Sequence, residues 1–128
     1  MYTKILAAFD QSSRGQQIFE AALTLAKANH AALMFLHILS RDAEDSPIRY
    51  SPKLMSYEEE DLKVYRQEWE DFVKATYERL ESLTQQAIIE GVKAEFRQLE
   101  GSPGKTICNF AQEWGADLIV IRRSGYYS

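Results

Sequence analysis

The sequence predicts an open parallel α/β sheet, and three observations support this fold class. Two short apolar runs, residues 5–9 and 31–39, are each long enough for one buried strand. Between them, apolar residues recur every three or four positions, as in an amphipathic helix. Strand-like and helix-like segments continue to alternate as far as residue 121. This gives the order β-α-β-α-β-α-β and favours parallel, right-handed connections.

The first two strands enclose the first helix. Residues 5–9 are wholly apolar and stop at Asp10, which is followed by helix-capping residues. The helical spacing runs over residues 13–29 and leads into the second apolar run, residues 31–39. His37 lies inside this run, and we interpret it as a satisfied core residue rather than a base.

A loop and the longest helix come next. Residues 40–56 contain two prolines and no hydrophobic period, which predicts a loop. Helical spacing then runs over residues 62–87, and Gly91 is the expected C-cap. Residues 92–97 alternate between apolar and charged side chains, the pattern of a strand at a sheet edge.

The last helix and strand follow a glycine-containing turn. Ser102 is the expected N-cap and Pro103 the first residue of a helix that ends at Gly115. Cys108 on this helix is predicted to be a small buried hydrophobe. Residues 118–121 are all apolar, so they are predicted to form a fourth buried strand. Nothing in the sequence that follows would cover that strand, and the sheet therefore appears unfinished.

Composition excludes several classes of protein. The chain has 128 residues, 45% of them hydrophobic and 27% charged, which indicates one globular domain over residues 1–128. A net charge of -4 argues against nucleic acid or an anionic membrane surface as a partner. The longest apolar run is too short to span a bilayer. A single cysteine cannot form an internal disulfide, which indicates an intracellular protein.

Candidate binding residues lie where the strands end. In an open parallel sheet, ligands bind outside the carboxyl ends of the strands, at the point where the strand order reverses. Asp10 follows the first strand and could accept hydrogen bonds from a ribose or base, or it could simply cap the first helix. Arg122 and Gly125 follow the fourth strand, where they could contact phosphate or form a solvated strand end.

The sequence supports neither a phosphate-binding loop of the Gly-Lys-Thr type nor a catalytic or metal site built on histidine. Residues 101–106 end in Gly-Lys-Thr, but only two residues separate the glycines, and a phosphate-binding loop needs four. The two histidines have no nucleophile or metal ligand at a recognisable spacing. Enzymatic activity is therefore not predicted.

Four segments together resemble the universal stress protein family in order and spacing. The start, with Lys-Ile-Leu at 4–6 followed by Asp10 and Ser12, and Gly-Ala-Asp-Leu-Ile-Val at 115–120 are the most specific. Leu-His-Ile at 36–38 and Glu-Gly-Ser-Pro at 100–103 lie between them at the expected spacing. The resemblance extends over essentially the whole chain.

The resemblance implies a fold, a location and a role. The expected fold is a Rossmann-like sheet of the adenine-nucleotide alpha hydrolase type, with strand order 3-2-1-4(-5). The family's final helix and fifth strand, often a dimer contact, would lie beyond Ser128, so the resemblance implies a domain truncated at its C-terminus. It also implies a cytoplasmic stress-response protein, commonly a homodimer, some of whose relatives bind ATP with Mg²⁺.

In ATP-binding members, the positions that match Ala8, Phe9, Asp10 and Ile38 hold the adenosine. The implied adenine-nucleotide site therefore combines one carboxylate with the backbone of the first two strands.

The family's phosphate loop begins where the fourth strand ends, at Ile121. Gly125 matches its second glycine, whereas Arg122 stands in place of the first, and the third glycine is beyond the chain. Two hypotheses follow: a regulatory module that binds ATP, or a dimeric interaction protein that binds no nucleotide.

Overall fold

The computed structural model describes residues 1–9, 15–40 and 59–121. Within them, strands and helices alternate along the chain, as the sequence predicts. The elements are β1 (Lys4–Ala8), α1 (Gly15–Asn29), β2 (Ala32–Leu39), α2 (Glu59–Ile89), β3 (Ala94–Glu100), α3 (Pro103–Trp114) and β4 (Leu118–Ile121). All strand pairs are parallel, and the sheet order is β3-β2-β1-β4. The predicted fold class, strand order and edge position of β3 are therefore confirmed.

Local sequence signals set the helix ends. Gly91 follows the end of α2 with φ 88°, a left-handed conformation that favours glycine. α3 begins at Pro103 after Ser102, and it ends where Gly115, with φ 84°, donates its N–H to the Ala111 carbonyl at 2.9 Å. Among the helices of the described residues, none is both long and apolar enough to cross a membrane.

Alternate residues of each strand face opposite sides of the sheet and build two cores. α1 and α2 cover one side, and α3 covers the other. The strand residues of the first core include Ile5, Ala7, Phe9, Leu33 and Phe35; those of the second are Leu6, Ala8, Met34, Leu36 and Ile38. Near the end of β2, Leu39 and Trp69 form a smaller cluster.

The prediction that β4 is buried on both faces is wrong. Leu118 and Val120 pack against the first core, but Ile119 is 38% exposed and Ile121 is 57% exposed on the opposite face. β4 is the last strand of the described sheet, and α3 packs on β2, two strands away. The apolar run therefore has one sheltered face and one open face.

The predicted burial of Cys108 is also wrong, because its side chain is exposed. α3 turns Ile107, Phe110, Ala111 and Trp114 toward the sheet. Cys108 follows Ile107 directly, and one residue corresponds to about 100° of rotation around a helix, which places Cys108 off this stripe.

Side-chain hydrogen bonds join β1 to the α3–β4 connection at the amino-terminal end of the sheet. The Asp117 carboxylate accepts hydrogen bonds from the Thr3 N–H (2.8 Å), the Thr3 hydroxyl (3.0 Å) and the Lys4 N–H (3.0 Å). Lys4 Nζ donates to the Trp114 carbonyl at 2.9 Å and lies 5.0 Å from the centre of its indole ring. These contacts tie the start of β1 to the connection between α3 and β4.

Candidate functional site

The strand order reverses at the carboxyl end of β1. β1 has β2 on one side and β4 on the other, so the chain builds the sheet in one direction through β3 and then crosses back. Ala8 is the residue at this point, paired with Leu36 of β2 and with Ile121 of β4. A reversal of this kind opens a crevice between the outgoing connections of the two neighbouring strands.

β2 and β3 form one wall beside the crevice because they extend beyond β1. The Phe9 N–H donates to the Leu36 carbonyl at 3.1 Å, and β2 then continues for three residues to Leu39. At that point the Gly101 N–H donates to the Leu39 carbonyl at 3.0 Å. Three extended residues raise this wall by about 10 Å above the end of β1.

Three of the predicted site residues share the face of the sheet that α3 covers. Ala8 and Ile121 are paired, and Ile38 is two residues beyond Leu36, the other partner of Ala8. Ala8 is 4% exposed, Ile38 is 8% exposed and Ile121 is 57% exposed. We call these three side chains the apolar shelf. It runs from the core to the surface at the rim of the crevice.

Phe9 contributes differently from its neighbour Ala8. Its side chain faces the first core and meets the Phe35 ring edge-on, with 6.1 Å between ring centres. Its N–H is used by the sheet. The Phe9 side chain is thus a core group, and only its backbone lies at the crevice.

The turn from β3 to α3 forms the upper end of the wall and depends on Gly101. Gly101 has φ 152°, and a Cβ added there would lie 2.5 Å from Thr106 Oγ1. Ser102 caps α3 through its backbone alone, since its side chain makes no capping hydrogen bond. The turn itself was predicted from the sequence, but the close approach of Thr106 was not, although the glycine ahead of Ser-Pro was an available signal for it.

The remaining predicted site residues, Asp10, Arg122 and Gly125, lie outside the described residues, and so does nearly all of the predicted loop 40–56. The residues before them are well placed: Phe9 precedes Asp10, and Ile121 precedes Arg122, on neighbouring strands. Over residues 1–9, 15–40 and 59–121, no three His, Cys, Asp or Glu side chains gather closely enough to hold a metal ion.

Comparisons with known proteins agree with this architecture. A family profile described as the universal stress protein family matches residues 1–128. Universal stress protein YxiE of Bacillus subtilis is 31% identical over 125 residues, which is 98% of this chain and 81% of that protein. Universal stress protein Sll1388 of Synechocystis sp. is 28% identical over 127 residues, covering 97% of this chain and 80% of that protein.

Solved structures share the fold. Universal stress protein UspA from Lactobacillus plantarum superposes with a TM-score of 0.73 at 22% identity, covering 99% of this chain and 81% of its own. Two others were solved with nucleotides. A universal stress protein in complex with cAMP has a TM-score of 0.59 at 18% identity (92% and 70% covered). The Archaeoglobus fulgidus protein in complex with dAMP has a TM-score of 0.57 at 21% identity (94% and 80% covered).

Proposed function

The chain belongs to the universal stress protein family, and we propose that it is a stress-response regulatory module that binds an adenine nucleotide, ATP with Mg²⁺, at the crevice between β1 and β4. The observation that carries the proposal is the apolar shelf at the strand-order reversal. The flat faces of a purine are apolar, and nucleotide sites combine such a surface with a few polar groups. The complexes of two relatives with cAMP and dAMP support the choice of an adenine nucleotide.

The proposed roles follow from position. The side chains of Ala8 and Ile38 pack in the second core, so these residues would meet the adenosine through their backbone, and the backbone at Phe9 lies beside Ala8. Asp10 would accept hydrogen bonds from the ribose hydroxyls, as the acidic residue of dinucleotide sites does. When bound, Mg²⁺ would neutralise phosphate charge.

The phosphates belong beyond the end of β4 in this proposal. Ile121 marks the start of that connection. By the resemblance, Gly125 in it matches the second glycine of the family's phosphate loop, and Arg122 stands where the first glycine is expected. A guanidinium can bind two phosphate oxygens, and a glycine permits close backbone approach. Self-association as a homodimer and a cytoplasmic location complete the proposal.

A calorimetric titration of ATP with Mg²⁺ into the purified chain tests the site, with Asp10→Ala measured in parallel. We expect saturable binding by the native chain and a loss of at least about tenfold in affinity, or about 1.4 kcal/mol, in the variant. GTP at the same concentrations tests whether the base is recognised.

Ile121→Glu and Ile119→Glu form a matched pair for the position of the nucleotide. Both residues are exposed on the same face of β4, and both substitutions add the same charge. They lie about 7 Å apart along the strand. Only Ile121 is at the crevice rim, so Ile121→Glu should weaken ATP binding about tenfold by repulsion of phosphate, while Ile119→Glu should change it less than about twofold.

Absence of binding, or equal affinity of the native chain and Asp10→Ala, would overturn the nucleotide proposal. The alternative is then a dimeric interaction protein of the same family that acts without nucleotide. Its signature would be a stable self-associated form in the absence of any ligand.

A further inference from the structure

We draw no further inference here: the strongest candidate, the cleft of about 340 Å³ between the carboxyl-terminal ends of α1 and α2 at the amino-terminal end of the sheet, is rimmed by exposed charged side chains of which Lys27 and Glu90 already pair with each other at 2.9 Å, and nothing in the structure shows what would occupy it.

Discussion

At the scale of single residues, backbone conformation and one carboxylate determine how the ends of the sheet are held. Gly101 turns the chain from β3 into α3 with φ 152°, and Thr106 packs directly over it. At the opposite end, Asp117 binds two consecutive N–H groups of the first strand. Both features bring a neighbouring segment into close contact with the turn or strand beside it.

Gly101→Ala should destabilise the fold by about 1–3 kcal/mol, since it forces a side chain into a glycine conformation and a Cβ 2.5 Å from Thr106 Oγ1. Gly104→Ala is the matched control, because a Cβ there has nothing within 4 Å. It should be neutral or stabilising by up to about 1 kcal/mol, since alanine is the better helix former. Urea unfolding of both variants measures the difference, and equal stabilities would refute the role of Gly101.

Asp117 should make stability depend on acidity. Hydrogen bonds from the Thr3 N–H, and then from the Lys4 N–H, lower the pKa of Asp117 below its ordinary value of 3.8. A carboxyl group whose pKa is lowered by folding contributes stability above the pKa of the unfolded chain and loses it as the pH falls through the lower, folded value. This contribution is therefore complete at neutral pH and declines below 3.8.

Asp117→Asn tests this linkage by urea unfolding at several pH values. The variant should be less stable than the native chain at neutral pH, and the difference should shrink as the pH falls below 3.8. A difference that stayed constant with pH would assign the effect to packing instead of to the charge.

At the scale of elements, a polar contact fixes α2 on the sheet. Gln98 Nε2 of β3 donates to Thr76 Oγ1 at 2.6 Å and lies 3.3 Å from His37 Nδ1 of β2. Thr76 is 3% exposed and His37 is 1% exposed, which confirms His37 as a satisfied core residue. Thr76 lies within the helical spacing predicted for residues 62–87, but its hydroxyl also links α2 to β3.

Thr76→Val should reduce the free energy of unfolding by about 1–2 kcal/mol, because it leaves a partly buried amide of Gln98 without its nearest acceptor. Thr84→Val is the control: Thr84 is equally buried, but its hydroxyl donates only to the Leu80 carbonyl of its own helix. Loss of this hydrogen bond in Thr84→Val should lower the free energy of unfolding by less than about 0.5 kcal/mol. Similar costs for the two variants would show that the contact between α2 and β3 adds no stability.

At the scale of the whole molecule, the strand order separates the proposed nucleotide crevice from β3. The crevice lies at the carboxyl ends of β1 and β4, and β3 forms the opposite edge of the described sheet. β2 stands between them, with seven of its eight residues buried. Substitutions at exposed positions of β3 should therefore leave ATP affinity at the crevice unchanged.

The order of elements follows from the amino-acid sequence, because short-range signals define each element. Continuous apolar runs predicted β1 and β2, glycines such as Gly91 and Gly115 marked helix ends, and the alternation around Glu95 placed β3 at an edge. The motifs were sufficient to indicate the family and to select Ala8 and Ile38, which the structure brings to one face of the sheet.

Which apolar residues are sheltered and which polar residues meet depends on long-range packing, and this was seen in the folded chain alone. Burial of β4 depends on what covers each face, so Ile121 and its neighbour Ile119 are exposed although the run reads as buried. The pairing of Gln98 with Thr76 joins residues 22 positions apart, and no local pattern specifies such a contact. Hydrophobic periodicity indicates the conformation of a single segment. The packing of that segment depends on the positions of the other segments, which are set by the long-range contacts of the folded chain.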